Sequence, residues 1–127
     1  MSEVRRLRGT AARLSGRRGE ILAALWLLAK GYRILGFRYR LRQGEIDLLA
    51  ARGNVLAAVE VKARVSLEAA LEAVTPAQRR RLRATLHAFA SRRRRYANAE
   101  LRLDLVALAP GRLPRHIRGA WREDGDS

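Results

Sequence analysis

The sequence contains no cysteine, which excludes disulfide bonds and zinc sites built on thiolates and fits a reducing compartment. Only three prolines occur in 127 residues, and no stretch rich in proline, glycine and serine separates two domains. The longest apolar run, residues 21–29, is far shorter than the roughly 20 residues that span a bilayer. The amino terminus lacks the apolar segment of a signal peptide. We therefore expect a cytoplasmic protein with no membrane partner.

Acidic residues are also scarce, with 12 against 27 basic residues and a formal net charge of +15. Such an excess repels itself unless a polyanion neutralises it, so we expect nucleic acid as the partner. A solvated basic surface without a polyanionic partner is the alternative. Lysine is scarcer still, because Lys30 and Lys62 stand against 25 arginines. A lysine at position 62 therefore carries information.

Hydrophobic periodicity divides the chain into helices and strands. Gly31 is the expected C′ residue of the first helix, while Thr75, Pro76 and Gln78 form the capped start of a second. The predicted elements are a helix at 16–30, strands at 32–42, 45–50, 55–62 and 101–108, a loop or short helix at 66–74, a helix at 76–94 and a short edge element at 115–121.

This order of elements, α-β-β-β-α-β, predicts an α/β domain with a mixed sheet of four to five strands flanked by helices. We expect the domain to span residues 16–121. A basic arm at 1–15 precedes it and a disordered tail at 122–127 follows it.

Three of the few acids, Glu45, Asp47 and Glu60, occur within 16 positions, next to Lys62. Gly53-Asn54 is a two-residue hairpin signal. If these residues form the loop, Asp47 lies opposite Glu60, and Glu45 lies opposite Lys62. Strand alternation then directs these four side chains to one face. The opposite face receives four apolar side chains, Ile46, Leu48, Val59 and Val61.

Two carboxylates directly opposed on a sheet repel each other, and a cation between them would reverse that effect. Mg²⁺ suits the position because it takes oxygen ligands, often one or two carboxylates, and keeps several waters. Lys62 would lie beside Glu60, where a compact ammonium can hold a water molecule or help to deprotonate that water. Arginine cannot replace lysine in this role, because its guanidinium does not lose its proton. Two acids, a lysine and a basic surface together indicate phosphodiester hydrolysis.

These motifs resemble those of known nucleases. An Asp followed by Glu-x-Lys on the next strand resembles the PD-(D/E)xK nuclease superfamily of restriction-endonuclease-like folds. The segments "GEIDLLA", "VEVKAR", "AVTPAQRRRL" and "LRLDLVAL" resemble the YraN family of small bacterial proteins over about residues 16–121. The proline that names the superfamily motif is absent, because Ile46 precedes Asp47.

The resemblance implies a set of site residues. Asp47 and Glu60 would be ligands of Mg²⁺ or Mn²⁺, with the Val61 backbone carbonyl as a third ligand. Lys62 would position or activate the attacking water. Glu20 matches a helix acid that approaches the metal in relatives similar to Holliday-junction resolvases. The implied function is a metal-dependent endonuclease acting on nucleic acid, including branched DNA, and cutting a junction would require a homodimer.

Each assignment has an alternative. Asp47 and Glu60 would otherwise be solvated acids, Lys62 a salt-bridge partner of Glu45, and Glu20 an acid favoured by the helix dipole. We expect Asp104 to pair with nearby arginines. Three further predictions concern residues with a structural role, namely Gln78 as a capping residue and His87 and His116 as surface or packing residues. The alternative functions are a non-catalytic nucleic-acid-binding module and an accessory protein that binds an acidic partner.

Overall fold

The computed structural model describes residues 16–121, so the predicted arm at 1–15 and tail at 122–127 lie outside the described residues. Within this range the chain forms three α-helices, a short 3₁₀ helix and five strands. The elements are α1 (Gly16–Ala29), β1 (Arg33–Leu41), β2 (Gly44–Arg52), β3 (Val55–Ala63), α2 (Leu67–Glu72), α3 (Pro76–Ser91), the 3₁₀ helix (Arg94–Tyr96), β4 (Glu100–Leu108) and β5 (Arg115–Ile117).

The strands form a single mixed sheet in the order β1-β2-β3-β4-β5. All neighbouring pairs are antiparallel except β3 and β4, which are parallel. A parallel pair needs a long crossover, and α2 and α3 supply it. The predicted fold class, an α/β domain with a mixed sheet flanked by helices, is confirmed, and the arrangement is consistent with a nuclease-like fold. The helix predicted to end near residue 94 ends at Ser91, where Arg92 begins the turn into the 3₁₀ helix.

The β2–β3 hairpin forms as the sequence predicts. Gly53 adopts φ +56°, and Arg52 pairs with Val55. The pairing continues to Leu48 opposite Val59 and stops there, although β2 extends back to Gly44. The two strands therefore separate just before the predicted pair of acids.

The core lies on both faces of the sheet. One cluster packs α3 against the sheet through Leu82, Leu86 and Phe89, and the other packs α1 through Ala23, Ala24 and Leu27. The small side chains of α1 allow the helix to lie close to the sheet. Apart from the buried Leu27, large apolar side chains of α1 are directed away from the core, since Ile21, Leu22, Leu25 and Leu28 are 37–58% exposed.

The predicted alternation along β2 holds only in part. Leu48 and Val59 pack on the α1 face as expected, and Val61 packs against the same cluster. Ile46 instead belongs to the cluster on the α3 face. The expectation for Ile46 was wrong because β2 no longer follows β3 beyond Leu48, so the simple two-residue period does not extend that far.

Helix ends follow the sequence signals. At the end of α1, Gly31 has φ +91°, its N–H bonds to the Leu28 carbonyl, and the Tyr32 N–H bonds to the Leu27 carbonyl, which is a Schellman motif. At the start of α3 the capping box is complete. The Gln78 N–H donates to Thr75 Oγ1 at 3.2 Å, and the Thr75 N–H donates to Gln78 Oε1 at 2.9 Å.

Within residues 16–121, none of the helices combines the length and the apolar character needed to cross a membrane.

Thr75→Ala should lower the free energy of unfolding by about 1 kcal/mol, because it leaves the Gln78 N–H without its capping acceptor. Thr75→Ser keeps the hydroxyl and serves as the matched control. Urea unfolding followed by circular dichroism measures both variants. A Thr75→Ser protein as unstable as Thr75→Ala would show that the capping bond is not the source of the effect.

Candidate active site

The predicted acids meet where β2 and β3 separate. Asp47 and Glu60 are the first residues beyond the last paired positions, Leu48 and Val59. Asp47 Oδ2 accepts a hydrogen bond of 3.0 Å from the Val61 N–H, so the side chain occupies a place in the ladder that a backbone carbonyl would otherwise take. The separation of the strands therefore orients the Asp47 carboxylate towards β3.

A cavity of about 320 Å³ opens at this end of the sheet, which we call the end cavity. Residues from β2, β3 and α3 line it. They are Glu45, Asp47, Glu60, Lys62, Gln78, Arg81 and Leu82. The cavity thus combines three acids with two cations, and it includes five of the residues discussed from the sequence.

Glu60 is the most perturbed acid of the end cavity. It is 7% exposed, and its side chain is in hydrogen-bonding contact with that of Asp47. Burial, followed by the charge and hydrogen bond of Asp47, raises the pKa of Glu60 from 4.5 to about 8, against the opposing effect of Lys62. Glu60 therefore holds a proton at neutral pH, and this proton joins the two carboxyl groups.

Lys62 lies beside Glu60, with 3.7 Å between Lys62 Nζ and Glu60 Oε2. The two residues follow the same face of β3, and the Lys62 side chain is 20% exposed. Its ammonium group is thus partly shielded from solvent and adjacent to the paired acids.

Glu45 does not pair with Lys62 as the hairpin register predicted. It lies opposite Arg40 of β1, and its Oε2 accepts hydrogen bonds of 3.0 and 2.6 Å from the Arg40 guanidinium. The prediction was wrong because β2 has left β3 at this point and pairs only with β1. Glu45 lines the end cavity as a salt-bridged acid at its rim.

Glu20 is also held by an arginine. It is buried at 6% exposure, and both of its carboxylate oxygens accept from Arg38 Nε, at 2.9 and 3.1 Å. Arg38 has φ +48° in β1 and lies between the paired positions Phe37–Leu48 and Tyr39–Ile46, opposite Asp47. Glu20 does not line the end cavity, so it is connected to the site only indirectly, through Arg38.

The donor set fits a hard divalent cation. Two carboxyl groups that share a proton would offer anionic oxygens to a cation that replaces this proton, and Mg²⁺ is commonly held by one or two carboxylates together with waters. Among residues 16–121, no group of three or more His, Cys, Asp or Glu side chains could hold a metal ion together. The fit therefore depends on Asp47 and Glu60, which we call the acidic pair.

Sequence reasoning missed several residues. Arg81 lines the end cavity from α3, and its position one helical turn after Gln78 could have suggested this. His116 was expected at the surface or in packing, and its ring is buried; the sequence did not indicate that its Nε2 lies 2.7 Å from Asp104 Oδ2. Asp104 pairs with Arg102, as expected. Lys30, the other lysine of the chain, contacts His116.

Fold and site together define a small α/β domain with paired acids and a lysine in a cavity at the end of its sheet. The chain belongs to a family described as "Uncharacterised protein family UPF0102", whose model matches residues 19–108. The matched range includes the four predicted site residues Glu20, Asp47, Glu60 and Lys62.

Curated relatives extend the similarity over almost the whole chain. A UPF0102 protein of Caulobacter sp. (strain K31) is 65% identical, covering 94% of this chain and 86% of the relative. A UPF0102 protein of Caulobacter vibrioides (strain NA1000 / CB15N) is 60% identical over 93% of this chain and 94% of its own length. UPF0102 protein R00337 of Rhizobium meliloti is 50% identical over 84% of this chain and 87% of its own length.

The raised pKa of Glu60 makes stability depend on pH. The unfolded chain loses this proton near pH 4.5, whereas the folded protein keeps it to about pH 8. The free energy of unfolding therefore falls as the pH rises across that interval, and the loss is complete above it. We predict that Glu60→Gln raises the melting temperature in metal-free buffer by at least about 4 °C at alkaline pH, and by less as the pH falls.

Thermal unfolding from about pH 5 to about pH 9 measures this difference. Glu72→Gln, which removes an exposed acid of α2, is the matched control and should show no such trend. A melting temperature for Glu60→Gln that differs from the native value equally at all pH values would contradict the raised pKa.

Proposed function

We propose that this protein is a metal-dependent nuclease of the PD-(D/E)xK superfamily that hydrolyses phosphodiester bonds in nucleic acid. The observation that carries the proposal is the contact between Asp47 and the buried Glu60, with Lys62 at 3.7 Å from Glu60. A stable fold does not require two acids to share a buried proton. A protein site for Mg²⁺, by contrast, is commonly built on one or two carboxylates together with waters.

The acidic pair would hold Mg²⁺ or Mn²⁺, and the Val61 backbone carbonyl, suggested by the family resemblance, would add a third oxygen. The Val61 N–H keeps Asp47 oriented by its hydrogen bond to Oδ2. When bound, the divalent ion would supply positive charge that stabilises the phosphoryl oxygens. Glu60 must lose its proton for the pair to act as ligands, so binding should be favoured as the pH rises.

Lys62 and Arg81 provide the cations of the end cavity. Lys62 donates a hydrogen bond to the attacking water and orients it towards the phosphorus atom. The Arg81 guanidinium contacts a phosphate oxygen of the substrate, since arginine suits this geometry. The Glu20–Arg38 ion pair acts through β1, where it fixes the backbone opposite Asp47.

Nucleic acid is the proposed partner because the chain has a net charge of +15. The exposed arginines bind phosphates along the backbone without reading sequence, and the affinity should fall steeply with salt. DNA is the preferred substrate of this proposal. Two copies of the protein would be needed to cut both strands of a junction.

The direct test is incubation with labelled linear, branched and single-stranded DNA and RNA, in Mg²⁺, Mn²⁺ or chelator. We expect metal-dependent cleavage of at least one substrate, and a loss of at least about hundredfold in Asp47→Asn and Lys62→Ala. Lys62→Arg keeps the charge and should not restore activity, because the larger planar guanidinium cannot take the place of the compact ammonium that orients the water.

Glu72→Gln is the control for removing one acid, and all variants are purified identically. Fluorescence anisotropy with the same DNA separates binding from cleavage. Tight binding without cleavage under all metal conditions would favour the non-catalytic module instead. Cleavage that persists unchanged in Asp47→Asn would remove the acidic pair from the mechanism.

A further inference from the structure

A second group of titratable side chains lies away from the end cavity, around the end of α1. It comprises Lys30, Tyr32, Arg102, Asp104 and His116, which we call the Lys30 cluster. Arg102 and Asp104 project from β4 on the face covered by α1, since they lie beside Ala57 and Val59 of that core. No residue of the cluster lines the end cavity.

Asp104 is the anchor of the Lys30 cluster. It is fully buried and accepts hydrogen bonds from Arg102 at 2.8 Å to each oxygen and from the Gly119 N–H at 3.0 Å. Burial would raise its pKa, but the hydrogen bonds from His116, Arg102 and Gly119 hold the pKa of Asp104 below its ordinary value. Asp104 is therefore a carboxylate that can only accept hydrogen bonds.

This fixes the proton on His116. Because Asp104 Oδ2 only accepts, His116 Nε2 at 2.7 Å must carry the hydrogen. The other ring nitrogen, Nδ1, contacts Lys30 Nζ. Because an ammonium group can only donate, Nδ1 accepts from it with its lone pair. The Tyr32 ring packs edge-on against the imidazole at 5.5 Å and keeps it in this orientation. The arrangement is an amine in contact with an imidazole that a buried carboxylate orients as a base.

The surroundings of Lys30 are cationic. Burial, and next the charge of Arg118, lowers the pKa of the Lys30 amine, with Arg102 and Arg52 adding to this effect and Asp104 opposing it. Arg52 and Arg118 are exposed, whereas Lys30 is half-buried. The cations thus form an accessible patch that attracts an anion to the lysine amine.

We propose that Lys30 is an acylation site that reacts with acyl phosphates, with His116 as its base and Arg118 and Arg52 as the phosphate-binding cations. An acyl phosphate suits both parts of the site. Its phosphate group matches the cationic patch, and its acyl carbon is an electrophile for an amine. The inference is independent of the proposed nuclease activity.

The reaction balances without a further reactant. His116 Nδ1 takes one proton from the Lys30 ammonium, and the freed lone pair on Nζ attacks the acyl carbon. The new C–N bond forms while the bond between the acyl carbon and the phosphate oxygen breaks, and phosphate leaves with that electron pair. The departing phosphate takes the second proton from nitrogen, and His116 returns the first to solvent. The product is a neutral amide on Lys30.

The chain contains its own reference, because Lys62 is the only other lysine. Lys62 lies beside the Glu60 carboxyl group, whereas Lys30 contacts the imidazole. Both lysines experience the same reagent concentration in one sample. The ratio of their modification rates therefore compares the two surroundings under identical conditions.

The test is incubation of the full-length protein with acetyl phosphate, followed by peptide mass spectrometry of both lysines over time. We expect Lys30 to be acetylated at least about fivefold faster than Lys62. His116→Gln should remove this advantage, and circular dichroism establishes whether that variant stays folded. Equal rates at the two lysines in the native protein would overturn the proposal.

Arg118→Gln provides a second test that does not disturb a buried group, since Arg118 is exposed. It should slow acetylation of Lys30 by acetyl phosphate but not by an uncharged succinimidyl ester, which has no phosphate to bind. Arg80→Gln, an exposed arginine of α3, is the matched control and should change neither rate. A rate with acetyl phosphate that is unaffected by Arg118→Gln would refute the phosphate-binding role.

Discussion

The separation of β2 from β3 is the constraint on which the site depends. Pairing ends at Leu48 and Val59, and the Asp47 carboxylate then accepts the Val61 N–H in place of a ladder carbonyl. This hydrogen bond keeps Asp47 within reach of Glu60, whose burial makes its negative charge costly. A proton or a cation must therefore accompany the pair. The same geometry that holds the open end of the sheet together keeps the two carboxyl groups in contact.

The rest of the molecule supports this arrangement from both faces. On one side α3 starts at a complete capping box, so that Gln78, Arg81 and Leu82 face the acids across the end cavity. On the other side α1 contributes Glu20, whose ion pair with Arg38 fixes the left-handed residue of β1 opposite Asp47. Rigid elements thus hold the side chains, which suits a site that must keep a fixed geometry.

The sequence predicted those features that local chemistry controls. Gly53-Asn54 determined the hairpin, Thr75 and Gln78 the start of α3, and Gly31 the end of α1. It did not predict how far the hairpin pairing extends, because beyond Leu48 β2 continues paired with β1 and not with β3, which no local motif reveals. The contact between Lys30 and His116 was missed for a similar reason. It joins residues 86 positions apart, and neither residue has a ligand-like pattern around it. The catalytic assignments of Asp47, Glu60, Lys62 and Glu20 stay predictions.

The most direct measurement of the central claim is a ¹³C NMR titration of the Glu60 side-chain carboxyl group, first with chelator and then with Mg²⁺. Our interpretation predicts a pKa of about 8 in chelator, because burial and Asp47 oppose ionisation. Mg²⁺ should lower this pKa, because the cation replaces the shared proton. A Glu60 that titrates near 4.5 in both buffers would mean that the two acids neither share a proton nor bind a cation.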